Sequence, residues 1–189
     1  MTAELDLEVA HAVLWVRDLE KLIGFYCEVL GFEVTDRGPI GGGGAAGAEI
    51  VFLSQTARAH HQLALVGGRT DDRPSPNLNH IAFRSRGTLA DLRSLHERLV
   101  TEPDVSRIRP LTHGNAWSVY FADPEGNGIE IFIDTPWHVA QPCGLPLDLS
   151  RSDEELLAWT EEQARAMPRF GPIEDFYQAR ADHLATRQP

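Results

Sequence analysis

Cysteine is scarce in this chain: Cys27 and Cys143 are the only two, they allow at most one disulfide, and they show no metal-type spacing. That excludes a disulfide framework and fits a reducing compartment. Basic stripes are missing too, since 17 Lys and Arg stand against 28 Asp and Glu for a formal charge of −11. Such a surface releases no counterions from a phosphate backbone, which excludes nucleic acid as the expected partner. No apolar run approaches the roughly 20 residues that span a bilayer, and the opening residues MTAELDLEVAHAV lack a basic start. A soluble, cytoplasmic protein without membrane contact is expected. The glycine run at 41–44 is followed by no Gly-Lys-Ser/Thr and leads into a strand-like segment, so it reads as a surface loop rather than a phosphate cradle.

What the chain does have is core-forming material, 42% hydrophobic over 189 residues, arranged in a pattern written twice. Residues 10–16 alternate as a strand, and Leu19, Leu22, Ile23, Tyr26, Val29 and Leu30 then fall at helical spacing, with Gly31 placed to end the helix. FEVTDRG, AEIVFLSQ and HQLALVGG follow as three β-prone runs, giving β-α-β-β-β over about 8–67. NHIAFRS restarts the unit; Thr88 caps a helix with Leu89, Leu92, Leu95 and Leu99 on one face, and Val105–Arg109, Trp117–Ala122 and Gly128–Asp134 supply three strands, over about 78–135. The Gly, Pro and Asp-rich stretch at 67–77 marks the joint. These paired modules, residues 1–135, are expected to form one catalytic domain. From 136 to 189 the chain is first Pro-rich and then helical. Ser152 and Glu155 form a capping box, and 173–186 forms a last helix. This tail is expected to pack on the core or a partner chain through Leu156, Leu157, Trp159, Phe176 and Tyr177.

His11 and His61 are separated by fifty positions, as are His80 and Glu130, and each lies in or opens an apolar run that reads as a strand. Alternation places His11, Val13 and Trp15 on one face, and Glu130 on the side opposite Ile129, Ile131 and Ile133. If a pseudo-twofold axis relates the modules, His11 and His80 converge. A carboxylate on so apolar a strand needs a partner, and a divalent cation supplies one. Any one of these residues alone reads as a core histidine or a salt-bridged glutamate. His11, His80 and Glu130 together, at equivalent points of a duplicated unit, favour a metal. Two imidazoles and a carboxylate with open positions suit non-haem Fe(II), and Mn(II) also fits that donor set. His60 is expected on the face opposite His61, His96 on a helix surface, and His138 and His183 in solvent.

The duplicated unit closed by DPEGNGIEIF resembles the vicinal oxygen chelate superfamily. Within it, AHHQLAL, His80 nineteen residues after His61, and HGNAWSVYFADPEGNGIEIF resemble the type I extradiol ring-cleaving dioxygenases, over about residues 8–135. The length is similar to that of the single-domain 2,3-dihydroxybiphenyl 1,2-dioxygenases. The resemblance implies an α+β fold whose two β-α-β-β-β modules form a curved mixed sheet around a metal-binding cleft, followed by a helical tail. It implies that His11, His80 and Glu130 bind Fe(II), that His61 is the acid/base, that His113 hydrogen-bonds substrate or oxygen, and that Tyr120 lies near the bound catechol. At His113 the chain departs from the pattern, because the loop to the next strand is two residues shorter than in many relatives.

The implied reaction inserts both atoms of O2 into a catechol. A catechol must lose a proton to chelate metal, and histidine titrates in the range that this requires. Trp15, Trp117, Phe83 and Leu111 are candidate walls for a hydrophobic substituent, with core packing as their competing role. A homo-oligomer is expected. Two other functions share the fold. A glyoxalase or epimerase would carry a carboxylate ligand where this chain has His61, and a metal-free drug-binding module would have no use for two facing histidines and Glu130.

Overall fold

The computed structural model describes residues 8–40, 48–74 and 76–186, so the glycine run at 41–44 lies outside the described residues. The chain divides into two compact units, residues 1–77 with 123–127, and residues 78–122 with 128–189.

In the first unit β1 (Ala12–Val16) runs into α1 (Leu19–Gly24), which widens into π-helical winding over Phe25–Val29. The Asp18 side chain caps the helix by accepting from Lys21 N at 3.0 Å. Gly31 ends it at φ 78°, and its N–H donates to Cys27 O at 3.1 Å, as the helix-ending glycine expected there should. Three strands follow, β2 (Glu33–Pro39), β3 (Glu49–Ser54) and β4 (Leu63–Gly67), in the order β1-β4-β3-β2 with β1 parallel to β4. Leu14, Val16, Val51, Leu53, Leu63 and Leu65 are buried, as are Leu22, Phe25, Tyr26 and Val29 of the helical segment. β4 begins two residues after His61 rather than at it. The Ser54 hydroxyl donates to Ala59 O at 3.1 Å and Gln62 N donates to Leu53 O at 2.9 Å, so the chain turns through residues 55–61 before pairing starts.

The DPEGN turn, residues 123–127, completes this unit. Asp123 Oδ1 accepts from Glu125 N and Asn127 N, both at 2.9 Å, and Asp123 Oδ2 accepts from Asn127 Nδ2 at 2.8 Å and from the Tyr26 hydroxyl at 3.1 Å. Gly126 takes φ 87°, a left-handed conformation that a side chain would strain. Glu125 accepts from Asp18 N at 2.6 Å, from Arg17 N at 2.9 Å and from Arg69 Nη2 at 2.5 Å, with the Arg69 and Glu125 side chains only 8% and 3% exposed. Burial raises the Glu125 carboxyl, but the two backbone N–H groups and the Arg69 guanidinium outweigh it and hold the group below its ordinary value.

The second unit contains β5 (Ile81–Arg84), α2 (Leu89–Thr101), β6 (Ser106–Thr112), β7 (Ala116–Ala122) and β8 (Gly128–Asp134). Thr88 forms a capping box with Asp91, and Leu89, Leu92 and Leu99 are the buried face of α2. β6 extends past the expected Arg109 to Thr112, and its pairing with β7 shifts between Ser106 and Arg109, where Arg107 adopts φ 56°. The sheet order is β10-β6-β7-β8-β5, with β5 parallel to β8 and the short β10 (Leu145–Pro146) contributed by the tail. The mixed α+β class follows in both units.

The tail packs against its own unit. In α3 (Asp153–Arg165), capped by Ser152 and Glu155, the buried residues are Leu156, Thr160 and Ala164, and Thr160 Oγ1 accepts from Trp117 Nε1 at 2.8 Å. Trp117 is thereby a core residue, not a pocket wall. Leu157 and Tyr177 are exposed, so neither packs on the core. α4 (Ile173–Ala185) follows β11 (Gly171–Pro172), which pairs with β9 (Trp137–His138). His138, expected in solvent, is stacked on Phe176 with ring centroids 3.9 Å apart and planes at 10°, and both ring nitrogens are buried without a hydrogen-bond partner. Burial, followed by the nearby Arg169 charge, holds its pKa below the ordinary imidazole value.

Two stability predictions follow from these buried ionisable groups. Glu125→Ala leaves Arg69 as an unpaired buried cation and should cost about 3–5 kcal/mol, read from the urea midpoint. Because its folded pKa is lowered, the Glu125 contribution is present above its unfolded value of roughly 4.3 and is lost as pH falls through the folded value. An unchanged midpoint in the variant contradicts the account. His138 also has a lowered folded pKa, so its protonation favours the unfolded chain and stability falls as pH drops below about 6.5. In His138→Phe, which keeps the stack, the fall in Tm between neutral and mildly acidic buffer should shrink.

Candidate metal centre and acid/base site

Each of the three leading histidines stands just ahead of a strand, where backbone pairing fixes the Cα position while the side chain stays free for chemistry. In the first unit His11 precedes β1 and His61 precedes β4, and because those strands are parallel neighbours, the two residues meet. Their ring centroids are 4.2 Å apart at 46°, and the His61 ring lies 4.8 Å from that of Phe52. Burial, and then the like charges of His11 and His60, lower the His61 pKa, which favours the neutral imidazole that a general base requires. His60 is not on an opposite face. Its Nδ1 is 3.1 Å from His61 Nδ1, because both residues belong to the turn before β4, where strand alternation does not apply.

In the second unit the same logic gathers His80, Glu130, Tyr120 and His113. Tyr120 is in register with Glu130 across β7 and β8, and Ala82 is in register with Glu130 across β5 and β8. His80 Nε2 comes within 3.2 Å of Glu130 Oε2. Its Nδ1 is 2.7 Å from Asn79 Oδ1, an acceptor to which Nδ1–H donates, so Nε2 is the nitrogen that faces the carboxylate. The second imidazole nitrogen and a buried carboxylate oxygen thus face each other at the distance of a shared proton, which a divalent cation can replace. Donors about 3 Å apart are also what two neighbouring ligands on one divalent ion have, given metal–ligand bonds of about 2.1 Å. The donor chemistry fits a metal.

His113 follows β6 directly and is turned inward by Gly114 at φ 77°. Its Nδ1 donates to the Cys143 carbonyl, and its Nε2 stands 2.9 Å from the Tyr120 hydroxyl oxygen and 3.8 Å from Glu130 Oε1. The short loop therefore brings His113 to Glu130. Burial, then the hydrogen bond and charge of Glu130, raise the Tyr120 pKa well above its ordinary value, with Arg109 opposing, so its hydroxyl stays a proton donor. The Arg109 guanidinium lies 5.5 Å from the centre of the Tyr120 ring.

Asn79, Arg109 and the Cys143 carbonyl are parts of this site that sequence reasoning missed. A hydrogen-bond acceptor one residue before a histidine, or a backbone carbonyl thirty residues away, leaves no mark in residue spacing. Among the described residues no three His, Cys, Asp or Glu side chains are gathered into a group able to hold a metal as they stand. No helix among them is long and apolar enough to cross a membrane.

Comparison with known proteins agrees with this chemistry at the level of family. Biphenyl-2,3-diol 1,2-dioxygenase 3 of Rhodococcus globerulus is 33% identical over 131 residues, which cover 67% of this chain and 63% of the relative. Biphenyl-2,3-diol 1,2-dioxygenase 2 of the same organism is 30% identical, over 66% of this chain and 62% of its own length. The matches thus span less than two thirds of either relative. Among solved structures, a glyoxylase/bleomycin resistance protein/dioxygenase domain from Frankia sp. EAN1pec is 25% identical at a TM-score of 0.55, covering 70% of this chain and 94% of that one. The fosfomycin resistance protein FosX of Listeria monocytogenes, in complex with Mn(II) and sulfate, shares the fold at 20% identity and a TM-score of 0.50, covering 71% of this chain and 95% of that one. A family model matches residues 8–131, and the chain belongs to the Glyoxalase/Bleomycin resistance protein/Dioxygenase superfamily.

Proposed function

We propose that this protein is an Fe(II)-dependent extradiol dioxygenase that cleaves the ring of a catechol. The observation that carries this reading is His80 Nε2 set 3.2 Å from the buried Glu130 carboxylate, beside the Tyr120 hydroxyl, on a chain similar to two biphenyl-diol dioxygenases. His80 and Glu130 hold the metal, with His11 as third ligand; Mn(II) suits the same donors. Held by these residues, Fe(II) would supply Lewis-acid and redox chemistry toward a catechol and O2.

The side chains perform the proton work. His61, kept neutral by burial and by its histidine neighbours, accepts a hydroxyl proton from the entering catechol and later returns it. The Tyr120 hydroxyl, kept protonated, lies beside the substrate oxygens, and His113, locked by the Cys143 carbonyl, positions the phenol oxygen. Proton abstraction without dioxygen, as in a glyoxalase, is disfavoured because the first unit presents His61 where such an enzyme needs a carboxylate.

Anaerobic reconstitution with Fe(II), then addition of air with 2,3-dihydroxybiphenyl or catechol, should give a yellow ring-opened product. A protein that binds one divalent metal yet colours with neither compound is not an extradiol dioxygenase. Metal analysis separates the residue roles. Glu130→Ala should lose iron, whereas His61→Ala should retain it and lose about 10²–10⁴ in turnover, the usual worth of a positioned acid/base. A His61 variant empty of iron would show that His61 is a ligand instead.

A further inference from the structure

β1 leaves two large apolar side chains in solvent on the face that carries His11. Val13 and Trp15 are each 48% exposed, while Leu14 and Val16 between and beyond them are buried on the helical side. Register continues this face across the sheet: Val13 pairs with Ala64 and Trp15 with Val66 on β4, both buried, and these pair in turn with half-buried Phe52 and Ile50 on β3. The Phe52 ring packs against His61, so the apolar floor is continuous with the acid/base histidine. Gly68, at φ 109°, lies beside the Trp15 ring, where even an added Cβ would be 3.9 Å from Cζ3. That backs one edge of the indole and leaves the rest open.

Half-exposed Trp and Val in line on one strand are costly in water, at about 25 cal/mol per Å² of apolar surface. Distance along the strand assigns them an occupant. At about 3.3 Å per residue, Val13 lies roughly 7 Å and Trp15 roughly 13 Å from His11. A catechol held at His11 would keep its own ring near the histidine. Only a second ring or an equally long apolar substituent reaches Trp15.

We infer that Trp15 is a specificity-determining residue that stacks on the distal aryl group of a two-ring catechol and leaves the binding of single-ring catechols unaffected. This rests on the catechol reading above. Its test begins with metal-free protein titrated anaerobically with 2,3-dihydroxybiphenyl and with catechol, followed by calorimetry, so that iron loading plays no part. Trp15→Ala should weaken biphenyl-diol binding about tenfold or more and change catechol binding less than twofold, with Trp15→Phe in between. In the iron-loaded enzyme the ratio of kcat/KM for the two substrates should shift by the same factor.

Equal losses for both ligands, or no loss for either, overturn the inference, and the Phe variant decides the matter if the Ala variant does not fold. Ring cleavage by the wild type without discrimination by Trp15 refutes only this subsite. Trp15-dependent biphenyl-diol binding without cleavage of either catechol refutes the oxygenase reading and leaves the aryl subsite standing.

Discussion

Burying a carboxylate costs several kcal/mol unless donors or a cation compensate it, and two buried glutamates five positions apart meet that constraint in opposite ways. Glu125 is satisfied by protein groups alone: two backbone N–H groups and the Arg69 guanidinium surround it. Glu130 has no Arg or Lys partner among the described residues. Its neighbours are an imidazole that also contacts Asn79, a second imidazole engaged by a backbone carbonyl, and a phenol. The first carboxylate is a structural clamp, whereas the second is bounded by imidazoles that can also ligate a metal, and that difference supports the proposed function.

The clamp also explains why DPEGN can close a hairpin and still belong to the other unit. Asp123 spends both oxygens on its own turn and on Tyr26, and burial raises the Asp123 carboxyl and, with the Asp123 charge, the Tyr26 phenol. Glu125, pointing the other way, ties the end of β1 through Arg17 N and Asp18 N, the latter also the cap of α1. The strand that His11 precedes is thereby fixed at its far end by a turn encoded more than a hundred residues later.

Periodicity made most of this scaffold legible. The helix ended by Gly31, the Thr88 and Ser152 caps and β8 at Gly128–Asp134 all stand where apolar spacing and capping chemistry put them. The same logic failed where its premise did. Alternation separates neighbours only inside a strand, and the Ser54-centred turn keeps His60 and His61 out of β4, so their rings meet. His138 looked like a solvent residue because tail composition is polar and Pro-rich, and nothing local announces the Phe176 ring that covers it. Trp117 gave no sign that Thr160, in a helix it does not adjoin in sequence, would take its indole N–H.

The tail is therefore part of the site's construction and not an appendage to it. Its loop holds His113 twice, through the Cys143 carbonyl on Nδ1 and through Gln141 Nε2, which donates to His113 O at 2.8 Å. Met167 is in contact with the Cys143 thiol, and Ala140 N donates to Pro168 O at 2.8 Å, so the stretch following α3 supports that loop. The loop from β6 to β7 is short, and a short loop has little freedom to find a functional rotamer by itself. An external carbonyl that fixes the imidazole tautomer removes the need for a longer one. On this reading the placement of His113 and the presence of residues 136–186 are one feature: the tail supplies the hydrogen bonds that hold this histidine at both its ring and its backbone.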